Sequence, residues 1–372
     1  PMELPTLHLD HLRHLTDDLG ILQHAVYTVP NYAEGYTTDD NARALIVFVL
    51  LEEASGSGIP ETRWLTSRYL AFLLHAFNRA AGRFRNTLSI DRRWQEEVGS
   101  EDCHARALWA VGVVVGRSSH EGLVGPAHGL FDAALLPALE FTSPRAWAFV
   151  LFGLQQYLQR FPGDRRARGA REALVQRLLD AYRQYRAPDW HWFEDVLAYA
   201  NASLPYALIE CGQAMEHGEA VEIGLAALEW LADLQRSPHG HFVPIGSNGF
   251  YRRGGDRARF DQQPIEAQAT VSACLAAYTQ TGARRWREEA ERAFEWFLGR
   301  NDLGMELYDP VTGGCRDGLH PDGVNQNQGA ESTLAFLHAL LEMRLAEHIV
   351  RPFGGVRRDD AALVPESVGD RR

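Results

Sequence analysis

Apolar residues recur at three- and four-residue spacing along most of the chain, while the strict alternation of a half-buried strand is scarce. That periodicity predicts helices near 8–26, 40–54, 61–79, 102–116, 125–139 and 144–160. Six more are predicted near 167–186, 201–215, 219–235, 265–281, 284–299 and 329–346. The helices alternate in character. One set is rich in Ala and small apolar residues and opens on a polar signal, as in TTDDNARALIVF (37–48), SEDCHARALWAVG (100–112) and NQGAESTLAFLHALL (327–341). The other set, such as ETRWLTSRYLAFLLHAF (61–77), is amphipathic with charged faces.

Starts of the first set fall about 58 residues apart, which predicts six helical hairpins closing into a ring. The expected fold is therefore all-α, an (α/α)6 barrel with the small-residue helices inside and the amphipathic ones outside. Residues 1–350 read as this single domain. Residues 351–372 lose apolar periodicity, gain Pro, Gly and charge, and read as a tail. Connections into inner helices are long (27–39, 80–100, 187–200, 236–264 and 300–328, with 140–143 the exception), whereas those into outer helices are short. Long loops without helices of their own usually serve function, and all of these fall at one end of the barrel. The site is expected there.

Charge and composition narrow the chemistry. Acidic residues outnumber basic ones 49 to 37, for a formal charge of −12. A net anionic surface repels phosphate backbones, so no nucleic-acid partner is expected. All 37 basic residues are Arg. Without Lys there is no Schiff base, pyridoxal-phosphate anchor, Walker A lysine or kinase lysine. Cys103, Cys211, Cys274 and Cys315 are widely spaced and read as reduced thiols of a cytoplasmic protein. No apolar run is long enough to span a bilayer, so no membrane partner is expected. His239-Gly-His241 and Cys103-His104 lack metal-ligand spacing; neither a metal nor a cofactor is expected.

Carboxylates concentrate in the long loops and first inner-helix turns: Asp39, Asp40, Glu101, Asp102, Glu194, Asp195, Asp261, Glu266 and Glu331. Each alone is explained by capping and the helix dipole, and Asp39–Arg43 and Asp102–Arg106 have ion-pair spacing. Together they bring acids from five of six inner helices to one rim. In a ring of six, the first inner helix faces the fourth and the second faces the fifth. Asp40 is then expected across from Glu194, and Asp102 across from Glu266. Facing carboxyls suit glycosidic-bond hydrolysis, one as proton donor and one activating water or attacking carbon. Separations of roughly 6.5–9.5 Å imply inversion and about 5 Å retention; inversion is the expectation. Asp39, Asp261 and Glu331 would orient water or bind hydroxyls. Tyr36, Trp94, Trp190, Trp192 and Tyr251 would stack on sugar rings, although packing serves equally for half of such aromatics. His191, Gln262, Asp317, His320, Asn327 and Gln328 are candidate hydroxyl ligands, with turn and capping roles weighed evenly against that.

The hairpin count and acid-rich rim resemble the (α/α)6-barrel carbohydrate-active enzymes, among them inverting glycoside hydrolases, unsaturated glucuronyl hydrolases and N-acylglucosamine/cellobiose epimerases. GYTTDDNARAL (35–45), DQQPIEAQA (261–269) and GGCRDGLHPDGVNQNQGAEST (313–333) more closely resemble bacterial barrel proteins that stand beside, or are fused to, family-4-type glycosyltransferases in mannoside metabolism. The resemblance runs to about residue 346 and implies a neighbouring glycosyltransferase as partner; no transferase domain fits the chain itself. Asp39-Asp40 is also similar to the paired aspartates of bacterial endo-α-1,6-mannanases. The leading expectation is a glycoside hydrolase acting on a mannose- or glucose-containing oligosaccharide. The alternatives are a sugar epimerase or isomerase using His104, His191, His241 or His320, and a non-catalytic sugar-binding partner of a transferase.

Overall fold

A computed structural model describes residues 2–55 and 60–350; the expected tail, 351–372, lies outside these. The helices are α1 (Asp10–Leu15), α2 (Thr38–Ser55), α3 (Pro60–Ala76), α4 (Glu101–Arg117), α5 (Glu121–Ala138) and α6 (Pro144–Arg160). They continue as α7 (Arg165–Tyr185), α8 (Ser203–Ala214), α9 (Gly218–Leu234), α10 (Pro264–Thr281), α11 (Arg284–Glu295) and α12 (Ala330–Val350). The even-numbered helices form a closed circle: α2 packs on α4, α4 on α6, α6 on α8, α8 on α10, α10 on α12, and α12 back on α2. Each odd-numbered helix from α3 to α11 lies against the even-numbered helix before it, and short α1 lies against α12. This is the (α/α)6 barrel.

Small residues decide how tightly the inner circle closes. At Gly112 of α4 an added Cβ would lie 2.7 Å from Gly153 Cα of α6, and at Gly153 it would lie 2.6 Å from Leu108 O. The two backbones touch there, and no side chain fits between them. Amphipathic outer helices cover the circle with aromatics; Phe131 of α5 stacks on Tyr157 of α6 with ring centres 4.3 Å apart.

Two expected helices are shorter than their apolar spacing implies. Residues 8–26 form only one helical stretch, Asp10–Leu15. After it, Asp17 Oδ1 accepts from Leu19 N at 2.8 Å and Asn41 Oδ1 accepts from Ile21 N at 3.0 Å, so side chains take the amides that a continuing helix would need. Residues 284–299 split into α11 and a 3-10 turn, Trp296–Leu298, ended by Gly299 at φ 100°.

The long loops are laced into a collar. Tyr36–Thr37 pairs with Thr87–Leu88, and Val196–Leu197 pairs with Tyr251–Arg252. Gln262 bridges to Leu319, and Gln328 N donates to Tyr27 O at 2.8 Å. Successive loops therefore brace one another around the mouth at the N-termini of the inner helices.

Candidate active site

The α2 N-terminus and the α12 N-terminus are neighbours, and between them lies a cavity of about 200 Å³. Its lining includes Gln23, His24, Asp39, Asp40, Arg43, Gln263, Asp317 and Glu331. Four of the expected acids thus share one hollow.

Asp40 is 2% exposed. Its Oδ2 accepts from the Thr37 hydroxyl at 2.9 Å and its Oδ1 from Arg43 Nη1 at 3.0 Å. Burial nevertheless pushes its pKa up to about 6. The other end of the Arg43 guanidinium meets Glu331 Oε2 at 3.2 Å, so one cation bridges the acids of two inner helices. Asp39, next in the chain to Asp40, differs. Its Oδ1 is buried without a hydrogen-bond partner, and burial, only partly offset by Arg43 and Arg106, raises its pKa. Asp317 accepts from Gly329 N and the Ser332 hydroxyl, each at 2.8 Å, and burial raises its pKa as well.

The spacing-based ion pairs are not the ones formed. Arg43 bonds Asp40, not Asp39, because the Asp40 side chain turns toward it one helical turn away. Arg106 makes no ion pair with Asp102; instead the Tyr199 hydroxyl donates to Asp102 Oδ2 at 2.5 Å. Tyr199 belongs to a clamped segment. Arg145, at the start of α6, reaches Glu194 Oε1 at 2.5 Å, Asn201 Oδ1 at 3.2 Å and the Tyr199 carbonyl.

Several expected site residues are engaged by partners within the protein. Glu194 does not line the cavity that holds Asp40, and its carboxylate is taken by Arg145. Glu266 lies against the segment before α8, where it accepts from Ala200 N at 2.6 Å and Asn201 N at 3.2 Å; burial raises its pKa to about 7. Those bonds hold Ala200 at φ 45°, so Glu266 clips the same segment whose Tyr199 hydroxyl bonds Asp102. Trp190, Trp192 and Tyr36 are buried and present no open face to a sugar. Trp190 packs edge-on to Trp230, and the Tyr36 hydroxyl is bonded to Asp17. Half-buried Trp94 packs on Phe72 and His75, Tyr251 on Trp190, and His191 on Trp230. Gln262 is buried between Trp296 Nε1 and Asp302, and Gln328 between Thr312 and Asp309. Asn327 Oδ1 accepts from Tyr27 N, while Asp261 and His320 pair with each other at 3.0 Å.

The histidines expected for proton abstraction are dispersed. His104 is in the core between Phe84 and Phe141, and burial lowers its pKa to about 4. His241 Nε2 is held by Asp302 Oδ1 at 2.7 Å. Of the described histidines only His24 lines the cavity. Gln23, His24, Gln263, Tyr199, Arg106 and Arg145 were not among the expected site residues. Arg145 alone had a local signal, a cation in the first turn of an inner helix where α2, α4, α10 and α12 carry acids. Among the described residues no group of three His, Cys, Asp or Glu could hold a metal, and no helix is long and apolar enough to cross a membrane. All four cysteines are buried and unpaired.

No protein-family model and no curated protein sequence matches the chain. Solved structures do. The cellobiose 2-epimerase of Bacillus thermoamylovorans is similar with a TM-score of 0.72 at 10% identity, over 92% of this chain and 96% of its own. A sugar epimerase from a ruminal bacterium gives 0.69 at 12% identity, over 90% and 94%. An α-1,6-mannanase of Salegentibacter, an inactive variant lacking two adjacent aspartates and bound to a mannotetraose, gives 0.60 at 11% identity, over 91% and 96%. The chain therefore has the (α/α)6-barrel fold that these carbohydrate-active enzymes share.

Proposed function

We propose that the protein is a glycoside hydrolase that cleaves a mannose- or glucose-containing oligosaccharide with Asp39 and Asp40. The observation that carries this reading is the pair itself: adjacent aspartates on the first turn of an inner helix, both lining one cavity, in different electrostatic settings. Asp39 has one oxygen in the cavity without a hydrogen bond, and in this reading that carboxyl gives a proton to the glycosidic oxygen as the C–O bond breaks. Asp40, bonded by Arg43 and Thr37, is ionised above about pH 6 and serves as the carboxylate that activates water or attacks the anomeric carbon. Like the mannanase made inactive by loss of two adjacent aspartates, the chain carries its acids side by side. A sugar epimerase, the activity named for other barrels of this fold, is less well supported, because the cavity offers one histidine rather than a facing pair.

The test is a panel of α- and β-linked manno- and gluco-oligosaccharides, followed by NMR of the anomeric configuration of each product. Cleavage supports the reading. Deuterium uptake from heavy water at a sugar carbon, with no bond cleaved, would replace it with epimerisation.

A further inference from the structure

Most polar side chains of the cavity are already engaged by the protein. Asp40 is held by Thr37 and Arg43, Glu331 by Arg43, and Asp317 by Gly329 N and the Ser332 hydroxyl. Gln23 and Gln263 are not. Both line the cavity, and among the described residues neither side-chain amide takes part in a hydrogen bond. Gln263 stands at the start of α10, but its side chain does not cap the helix. Asp39 Oδ1, in the same cavity, is likewise without a partner.

Both glutamines are nonetheless fixed at the backbone. Gln262 exchanges two backbone hydrogen bonds with Leu319, at 2.9 and 3.0 Å, and its side chain is taken by Trp296 and Asp302. Gln263 follows in extended conformation, φ −108° and ψ 138°, and successive extended residues face opposite ways, so Gln263 falls on the cavity side. Gln23 N donates to Gly35 O at 2.9 Å, and its carbonyl accepts from Ala330 N at 3.0 Å. Its neighbour Leu22 is buried with Tyr36 and Phe72, which leaves Gln23 to the cavity. Two amides from different loops, anchored at the backbone and unspent at the tip, meet a bound molecule at little ordering cost.

A carboxamide carries two donor hydrogens and a carbonyl acceptor, the complement of hydroxyls, which both donate and accept. It offers an anion no counter-charge. Of the described residues lining the cavity, the only Arg is Arg43, divided between Asp40 and Glu331, and the only His is His24, which is exposed and lies near Asp317. Asp39, Asp40, Asp317 and Glu331 line the same space, so a carboxylate on the ligand would add repulsion without gaining a free cation. We propose that Gln23 and Gln263 are the hydroxyl-binding residues of the subsite beside Asp39, and that this subsite takes an uncharged sugar ring and rejects a uronic acid. This rests on the reading of the cavity as a saccharide site and does not require bond cleavage.

The test is calorimetric binding at pH 7 of the full chain to thio-linked, uncleavable α-1,6-mannobiose and α-1,6-glucobiose, and to a glucuronic-acid-terminated disaccharide. Wild type, Gln23→Leu, Gln263→Leu and Gln263→Glu are compared, with thermal melts alongside. At least one neutral probe should bind, and each leucine variant should bind it about tenfold less tightly. Wild type should bind the acidic probe at least about tenfold less tightly than the neutral one. Gln263→Glu keeps the shape but loses the donors and adds a charge, so it should also weaken binding. Because neither amide has a partner in the protein, both leucine variants should melt within about 2 °C of wild type. A lower melting temperature or a lost fold would show the amide serving the protein instead, and would overturn its role. Wild-type affinity in either leucine variant, acidic-probe binding as tight as neutral, or no binding of either neutral probe would overturn the proposal as well. Binding that depends on both glutamines, without cleavage of the oxygen-linked disaccharides, would keep the pair and retire the hydrolase. Cleavage with a KM indifferent to both would do the reverse.

Discussion

Asp302 offers a sharp test of how the collar is held. Its Oδ1 meets His241 Nε2 at 2.7 Å, and its Oδ2 accepts from Arg259 Nε at 2.8 Å and Gln262 Nε2 at 2.9 Å. One carboxylate thereby ties the loop before α10 to the loop after α11. Gln262 passes the restraint on to Trp296, and Gln263, beside it, lines the cavity. Burial pushes the Asp302 pKa up, but the bonds from Arg259, His241 and Gln262 outweigh it and hold the pKa at about 2, against 3.8 for a free aspartate. That interval corresponds to about 2 kcal/mol favouring the folded state at neutral pH, less where water screens Arg259. The sign follows from the lowered pKa: the contribution is present above pH 3.8 and is lost as pH falls from there toward 2. Asp302→Asn removes the charge and turns an NH2 toward donors. It should cost about 2–3 kcal/mol at pH 7, a fall in melting temperature of roughly 3–6 °C, and the gap to wild type should narrow below pH 4. Urea denaturation of both proteins from pH 7 to pH 3 reads it. Equal stability at pH 7, or a gap unchanged at pH 3, would refute the account.

The proposed catalytic pair is tested by Asp39→Asn and Asp40→Asn, each expected to lower kcat about a hundredfold or more with an unchanged circular-dichroism spectrum; near-normal rates from both would remove the pair from the mechanism. The wild-type rate should decline on the acid side with a midpoint near pH 6 as Asp40 takes up a proton, which a pH–rate profile checks. Gly153→Ala would place a methyl group 2.6 Å from Leu108 O, forcing α4 and α6 apart at a cost of about 1–3 kcal/mol. Thermal melts of this variant and of Gly169→Ala, where a Cβ meets nothing, should differ accordingly.

The barrel was legible because small-residue and amphipathic helices alternate, and a ring needs narrow helices inside and two-faced ones outside. The acids Asp39, Asp40, Asp317 and Glu331 were legible because each interrupts the approach to an apolar inner helix. What was not legible is which acids are free. Glu194 and Asp40 look alike in the sequence, but Glu194 is claimed by Arg145, 49 positions away. Trp190 and Trp192 follow Pro188-Asp189 and read as loop aromatics, yet the loop folds inward and they pack around Trp230. Apolar periodicity at Leu9, Leu12, Leu15, Leu19 and Leu22 could not reveal that Asn41 would intercept the Ile21 amide. Such partners are set by tertiary approach, which no local pattern encodes.

Magnitudes show what controls the protonation of the pair. The inner helices direct their N-termini into the funnel, and a helix N-terminus favours a carboxylate by about 0.3–1 kcal/mol. The rise of Asp40 from 3.8 to about 6 corresponds to about 3 kcal/mol in the opposite direction. Burial under the collar therefore outweighs the helix ends and Arg43 together. The Thr37 hydroxyl works against burial, since its bond favours the ionised form of Asp40. Thr37→Val keeps the shape and removes that bond, so Asp40 should hold its proton to higher pH and the acid limb of the pH–rate profile should move above 6. Thr37→Ser, which retains a hydroxyl, should leave the limb in place. If valine moved the limb down, or serine and valine moved it equally, Asp40 would not be the group whose ionisation the rate reports.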